Sequence, residues 1–426
     1  MKAVISDRIY LQVNSNQQKE IDKELTYAIP SYRFDDPPII IKNMALIKKD
    51  FVAIPSGRID LIPKKHEVKD IRTIEPVEFP PFKLVLRPSQ QEVFNEVNDS
   101  AIINAWVSWG KTFTALAIAE KLGQKTLVVT HTLALRKQWV NEVEKVFGFQ
   151  PGIIGSGKVE VDTPIVVGNV QTLYRKIPFI RQKFGSLILD EMHHVSSPTF
   201  SRIVDKCCAR YKIGLTGTLT RKDGRHVVFR DYFGSNVLKP PKENFMVPKI
   251  DILKLPIRFM DGSSIPWANR VNELAYNPEY QNSVAMTASA YAARGHKVLV
   301  VSDRVDFLKN CAKLTGDDAV CVTGAVPHEE RPEIINQIFK DKNVLYGTQS
   351  IFSEGISLDV LSCLILGTPV NNEPLLTQLI GRIIRNYEGK KQPTVVDIHL
   401  LGNTARRQAN ARLGYYIKQG YKVSTL

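Results

Sequence analysis

Gly110-Lys111-Thr112 is the triplet best suited to chemistry on a phosphate. It closes a short turn between an apolar, β-rich run, Ala101–Ala105, and a helix-forming run that starts at Phe113. Backbone N–H groups at such a turn and at the helix start can face phosphate oxygens. Lys111 can then reach the β- and γ-phosphates, and the Thr112 hydroxyl can ligate Mg²⁺. The full phosphate-loop pattern wants Gly where this chain has Ala105, and an ordinary strand-to-helix turn has the same outline, so other residues must decide. The second constellation is Asp190-Glu191-Met192-His193-His194, at the end of the apolar run Leu187–Asp190. A carboxylate at a strand end near a phosphate loop is where Mg²⁺ needs an acidic ligand, and the next Glu can polarise an attacking water. Asp190 is therefore the candidate metal-side acid and Glu191 the candidate base. A metal site on His193 and His194 is not expected, because adjacent residues point to different sides and no ligand follows at i+4.

These residues need a scaffold that brings strand ends together. Consecutive apolar, β-branched runs recur at Ala101–Ala105, Thr126–Thr130, Ile165–Gly168, Leu187–Asp190 and Ile213–Thr216, with helix-like segments such as Leu133–Val146 between most of them. Runs that do not alternate fit strands buried on both faces of a parallel sheet, whose ligands sit at the carboxyl ends. A second series follows the Pro-containing stretch Lys239–Pro248: Lys297–Ser302, Ala319–Thr323, Val344–Thr348, Leu364–Gly367 and Thr394–Ile398. Two similar α/β domains in tandem are the simplest account. Ahead of them, Ile9–Val13, Ile39–Ile41 and Phe51–Ile54 alternate with Pro and charge clusters, which predicts a small β-containing domain ending near Pro80-Pro81. The tail, Asn403–Tyr421, reads as a solvated basic helix carrying Arg406, Arg407, Arg412 and Tyr415.

The chain has 426 residues, 43% of them hydrophobic, enough for two or three packed domains and not a disordered composition. A net charge of +14 favours a polyanionic partner, nucleic acid or an anionic membrane surface, although a solubilising basic surface gives the same figure. Residues 1–86 hold 14 Lys and Arg against 12 Asp and Glu, so nearly all the surplus lies downstream. Five Cys without a Cys-x-x-Cys pair exclude a disulfide framework and a zinc ribbon, and imply reduced thiols in a cytoplasm-like compartment. The N-terminus is charged where a signal peptide is apolar, and no run approaches about 18 uncharged apolar residues. A soluble protein without a membrane partner is expected.

Taken in order, the motifs resemble those of the superfamily 2 helicases and translocases, in the branch of XPB-type helicases and phage UvsW-type branch-migration helicases. The resemblance covers about residues 85–415. Leu86-Arg87-Pro88-Ser89-Gln90 is similar to the adenine-recognising segment, which implies nucleotide contacts from Arg87 and Gln90; Ser89 stands where an aromatic is usual. Ala105 is normal for this family's loop, whose departures here are Ser108 and Trp109; the resemblance implies nucleotide contacts from Ser108, Trp109, Gly110, Lys111 and Thr112, with the Ser108 hydroxyl donating to a phosphate oxygen and the Trp109 ring expected to shield or narrow the site. Thr130-His131-Thr132-Leu133 and Asn169-Val170-Gln171-Thr172 resemble strand-contacting motifs, which implies nucleic-acid contacts from Thr132, Gln171 and Thr172. Leu215-Thr216-Gly217-Thr218-Leu219-Thr220-Arg221 resembles the coupling segment, so Thr216 and Thr218, with His193 and His194, are implied to link hydrolysis to motion.

In the second α/β domain the resemblance implies strand contacts from Ser302, Thr323 and Thr348, and places Gly355 between nucleic acid and nucleotide. Gln378-Leu379-Ile380-Gly381-Arg382-Ile383-Ile384-Arg385 matches the arginine motif; on a helix Gln378, Arg382 and Arg385 share one face, aimed at a γ-phosphate as arginine fingers. The implied architecture is two tandem RecA-like domains, 86–240 and 241–426, behind an N-terminal accessory domain, 1–85, that grips duplex or a branch point. The implied activity is ATP- and Mg²⁺-dependent unwinding of, or translocation on, forked or branched DNA in replication, recombination or repair, by a monomer in a cytoplasm, the host's if phage-encoded. An RNA helicase, the motor subunit of a restriction nuclease and a non-catalytic nucleic-acid-binding protein with decayed motifs are the alternatives.

Overall fold

The unbroken apolar runs become the buried central strands of two parallel sheets. A computed structural model describes every residue except 30–36, 107–108, 218, 220–223, 242, 244, 263, 325–338, 350–358, 371 and 387. Ser108, Thr218 and Gly355 thus lie outside the described residues. The chain divides into two units, Met1–Glu243 and Asn244–Leu426.

The first unit opens with β1 (Lys2–Ile5), β2 (Arg8–Gln12), α1 (Ser15–Glu24), β3 (Thr26–Ile29), β4 (Ile39–Lys42), β5 (Ala45–Lys48), β6 (Phe51–Pro55) and β7 (Glu67–Asp70). Five of these strands form a sheet in the order β5-β6-β2-β1-β7, while β3 and β4 pair separately and antiparallel. Its main sheet comprises β8 (Ala101–Asn104), β9 (Thr126–Thr130), β10 (Gly152–Gly155), β11 (Lys158–Val159), β12 (Ile165–Asn169), β13 (Ser186–Leu189), β14 (Tyr211–Thr216) and β15 (Val237–Leu238). Their order is β11-β10-β12-β9-β13-β14-β8-β15, parallel except at β11. Around it run α2 (Pro88–Glu96), α3 (Lys111–Leu122), α4 (Leu133–Phe147), α5 (Val170–Arg175), α6 (Ile177–Ile180), α7 (Pro198–Lys206) and α8 (Phe229–Phe233). Every residue of β9, β12 and β13 is buried, which is why these strands read as continuous apolar runs.

Polar bonds fasten the N-terminal strands and their loops to the main sheet and its helices. Asp231 of α8, fully buried, accepts from Tyr27 Oη at 2.9 Å and Asn43 Nδ2 at 2.6 Å, and pairs with Arg58 at 3.3 Å. The buried Lys212 ammonium of β14 donates to Ser56 Oγ and to the Val204 carbonyl, both at 2.8 Å. Truncating either partner of such a buried contact strands the other without solvent.

The second unit carries β16 (Lys249–Arg258), β17 (Val298–Ser302), β18 (Ala319–Val322), β19 (Val344–Thr348), β20 (Cys363–Leu366), β21 (Thr394–Leu401) and β22 (Lys422–Thr425). All are parallel, in the order β18-β19-β17-β20-β21-β16-β22. Their helices are α9 (Trp267–Tyr276), α10 (Pro278–Ala293), α11 (Val305–Thr315), α12 (Glu373–Ile383) and α13 (Asn403–Lys418). The solvated-helix expectation for the tail needs correction. Arg406 and Arg407 are exposed, but Arg412 and Tyr415 turn inward, and the Arg412 guanidinium bonds both Asp397 oxygens of β21 at 2.8–3.0 Å. A basic residue on the inner face of α13 is there to neutralise a buried carboxylate.

Candidate nucleotide and strand site

Strand order gathers the expected residues at one edge of the first sheet. The phosphate loop leaves β8, Thr216 ends β14 and Asp190 follows β13, three neighbouring strands whose carboxyl ends point the same way. Ala105, entering the loop, donates its N–H to the Thr216 carbonyl at 3.0 Å. Gly110 caps α3 with φ at +93°, a left-handed conformation that strains any residue with a side chain. It brings no capping side chain, which leaves the N-terminus of α3 suited to an anion. Lys111 Nζ bonds the Ala105 and Trp106 carbonyls at 3.1 and 3.4 Å, folded back over the loop a phosphate would enter. Thr112, half-exposed, follows on the first turn of α3. These features fit a triphosphate.

Trp109 is placed differently from a residue that contacts nucleotide. Its indole is fully buried in the core with Val93, Val97 and Ala115, and Nε1 donates to Ser89 Oγ at 2.7 Å. It therefore neither shields nor narrows a nucleotide site; a wide apolar ring beside the loop is drawn into the core that α2 and α3 cover. The two departures explain each other, since Ser89 supplies the small hydroxyl that a buried indole N–H needs. Only the Trp109 carbonyl faces the expected adenine readers, accepting from Arg87 Nη2 and from Gln90 Nε2, the latter at 2.9 Å. The Gln90 oxygen accepts the Arg87 N–H at 2.9 Å, and Arg87 and Ser89 both meet Glu243, at 3.7 and 2.5 Å.

At the acidic box, Asp190 accepts from Trp139 Nε1 at 2.8 Å and from the Glu191 N–H at 2.9 Å. Burial, then the adjacent Glu191 carboxylate, pushes the Asp190 pKa up. For Glu191 burial pulls the same way, but the bond to His193 and the Lys111 ammonium outweigh it and hold the group low. Glu191 adopts φ +49°, ψ +51°, an uncommon conformation for a residue with a side chain. That turn puts its Oε2 3.2 Å from His193 Nδ1, which lies 3.5 Å from Thr216 Oγ1.

Thr132 caps α4, its hydroxyl accepting the Leu135 N–H at 3.2 Å. Gln171, exposed, and Thr172, half-exposed, open α5 beyond β12, which pairs with β9, so both segments lie at neighbouring strand ends. In the second unit Ser302, Thr323 and Thr348 gather at the carboxyl ends of β17, β18 and β19, but their side chains are buried. Ser302 Oγ meets Thr368 Oγ1 at 3.0 Å and accepts the Arg304 N–H at 3.1 Å, holding a turn.

Gln378 and Arg382 lie on α12, both half-buried, but Arg385 does not continue their face. The helix ends at Ile383, and Arg385 forms a bridge with Phe245 while Nη1 pairs with Asp359 at 3.1 Å. Ile384, the C-cap, is still in the right-handed helical region, so the chain turns off the helix axis only at Arg385, where the pairing with Phe245 begins. Trp139, Glu243 and His131, which partner the site residues, were not expected from sequence, because no spacing rule links residues so far apart.

Two family models match. One described as "Type III restriction enzyme, res subunit" covers residues 83–221, and one described as "Helicase conserved C-terminal domain" covers 283–387. "Probable helicase D10" of Escherichia phage T5 is 42% identical, over 100% of this chain and 96% of that protein. "DNA 3'-5' translocase XPB2" of Sulfurisphaera tokodaii is 31% identical over 82% of this chain and 89% of its own length. "ATP-dependent DNA helicase uvsW" of Enterobacteria phage T4 is 25% identical over 76% of this chain and 71% of its own. With the parallel sheets and the loop and acidic box at one edge, these similarities make the chain a member of the superfamily 2 helicases, an ATP-dependent helicase of the branch that holds the XPB-type and phage UvsW-type proteins.

Proposed function

We propose that the chain unwinds or moves along forked or branched DNA during replication, recombination or repair. The observation that carries this reading is the convergence of Lys111, Asp190, Glu191 and Thr216 at one sheet edge, adjoining the strand ends that bear Thr132 and Gln171. DNA is favoured over RNA by the DNA activities for which the XPB2 and uvsW relatives are named, and the +14 charge supports a polyanion held through its backbone.

Lys111 and the N-terminus of α3 bind the phosphates of ATP, while Thr112 and Asp190 are the residues that would hold Mg²⁺. When bound, that ion neutralises charge on the β- and γ-oxygens. Glu191, kept ionised by His193, orients the water, and Gln378, Arg382 and Arg385 supply donors and positive charge to the transferring phosphoryl group. Domains at 1–85, 86–240 and 241–426 divide the work, the first gripping duplex or a branch point. Strand separation by the purified chain with ATP and Mg²⁺ is the test, on a forked DNA, a four-way DNA junction and an RNA duplex. Unwinding of the fork and junction is expected; activity confined to the RNA overturns the DNA assignment.

A further inference from the structure

We infer that His131 is a positioning residue which passes strand occupancy at the start of α4 to Glu191 through a stack of imidazoles. The inference rests on the roles proposed above for Glu191 and Thr132. His131 directly precedes the helix cap Thr132, and its ring lies parallel to that of His194, centroids 4.4 Å apart at 13°. His194 lies 4.3 Å from His193, and Phe200 backs the stack, 5.5 Å from His131 and 5.8 Å from His194. His193 in turn meets Glu191 Oε2 at 3.2 Å. A continuous contact chain therefore runs from the first residues of α4 to the candidate base.

Packing alone does not account for this arrangement. Among the described residues, Nδ1 of His131 is buried without a hydrogen-bond partner, a cost that a Leu or Phe at the same place would avoid. The ring is also tied to the strand face by its own backbone: any adjustment of the turn at Thr132 when a phosphate meets the N-terminus of α4 displaces the adjoining His131 Cα. Close-packed rings transmit such a displacement because there is no void to absorb it. At the far end the left-handed turn at Glu191 holds the carboxylate against His193, so a shift in the stack reorients the group that positions water.

The test compares ATP hydrolysis with and without a saturating single-stranded oligonucleotide, run separately with DNA and RNA, for the wild type, H131A, H131F and E191Q, with melting temperatures for all. The wild type is expected to be stimulated. In H131A the ratio of stimulated to unstimulated kcat falls about fivefold or more, the loss appearing in kcat and not in the KM for ATP. H131F, which keeps a flat ring against His194 and Phe200, retains most of the ratio. A wild-type ratio in H131A overturns the inference, and so does equal loss in H131A and H131F that tracks a lowered melting temperature, which marks a packing role. Stimulation intact in the wild type, with E191Q inactive and H131A unaffected, removes only the relay; hydrolysis by E191Q at the wild-type rate, or a wild type indifferent to both oligonucleotides, removes the site assignment beneath it.

Discussion

Two ion pairs of the second unit differ in a way that separates holding from handing over. Arg412 and Asp397 are about 7% and 1% exposed at their side chains and joined through both carboxylate oxygens, with Tyr416 Oη adding a bond at 3.1 Å. Arg385 and Asp359 are 30% and 45% exposed, and Lys390 Nζ ties together the backbone carbonyls of the two residues at 2.9 Å. A buried charge bonded through both oxygens of its counter-ion has no route to another partner. A half-exposed one can exchange a carboxylate for a phosphate at small cost, because water and the new anion compensate it. The same arginine chemistry thus marks a structural strut in one place and a candidate for phosphoryl contact in the other.

Arg385→Ala should divide these roles most sharply. Loss of a phosphoryl-stabilising arginine lowers kcat for ATP hydrolysis by about 10³-fold or more, with little change in melting temperature; steady-state kinetics beside a thermal melt reads both. Asp397→Asn should do the reverse in kind, costing about 3–5 kcal/mol of stability by leaving Arg412 buried without its anion, as measured by denaturant unfolding. Asp397 also gives that pair a pH signature. Burial alone would raise its pKa, but the Arg412 guanidinium outweighs it and holds the carboxyl below the ordinary range. The pair's contribution is therefore complete above the unfolded-state value of about 4 and is lost as pH falls through the folded value, so Asp397→Asn should flatten the acid limb of the stability profile. Smaller still, Trp109→Phe should cost about 1 kcal/mol through the lost bond to Ser89, and leave the KM for ATP nearly unchanged because the ring lies in the core. A marked rise in KM would put the indole back at the nucleotide.

Much of this layout is legible in the sequence where one physical signal dominates. Thr126–Thr130 and Val344–Thr348 are strands over the limits their apolar runs predict, because burial on both faces leaves no room for polar residues. Lys249–Arg258 is less visible: it is the longest strand of its sheet, yet it mixes Lys, Asp and Pro with its apolar residues and follows directly on a Pro-containing stretch. Arg385 departs from the helical face its spacing predicts because α12 ends at Ile383, and the turn-off toward Phe245 is a tertiary pairing without a local signal. Trp109 turns into the core although a large ring beside a phosphate loop suggests the ligand, because its environment of Val93, Val97 and Ser89 is assembled by α2. The Trp139–Asp190 hydrogen bond and the His131–His194 ring stack have no local signal, since strand order alone brings β9, α4 and the acidic box together.

The most direct measurement is ATP hydrolysis by Glu191→Gln at saturating ATP, Mg²⁺ and single-stranded DNA, with DNA binding determined on the same preparation. Hydrolysis should fall by about 10²-fold or more while binding persists, since the change removes a base and leaves the strand face intact. Hydrolysis at the wild-type rate would contradict the assignment of Glu191 and with it the site built around the phosphate loop.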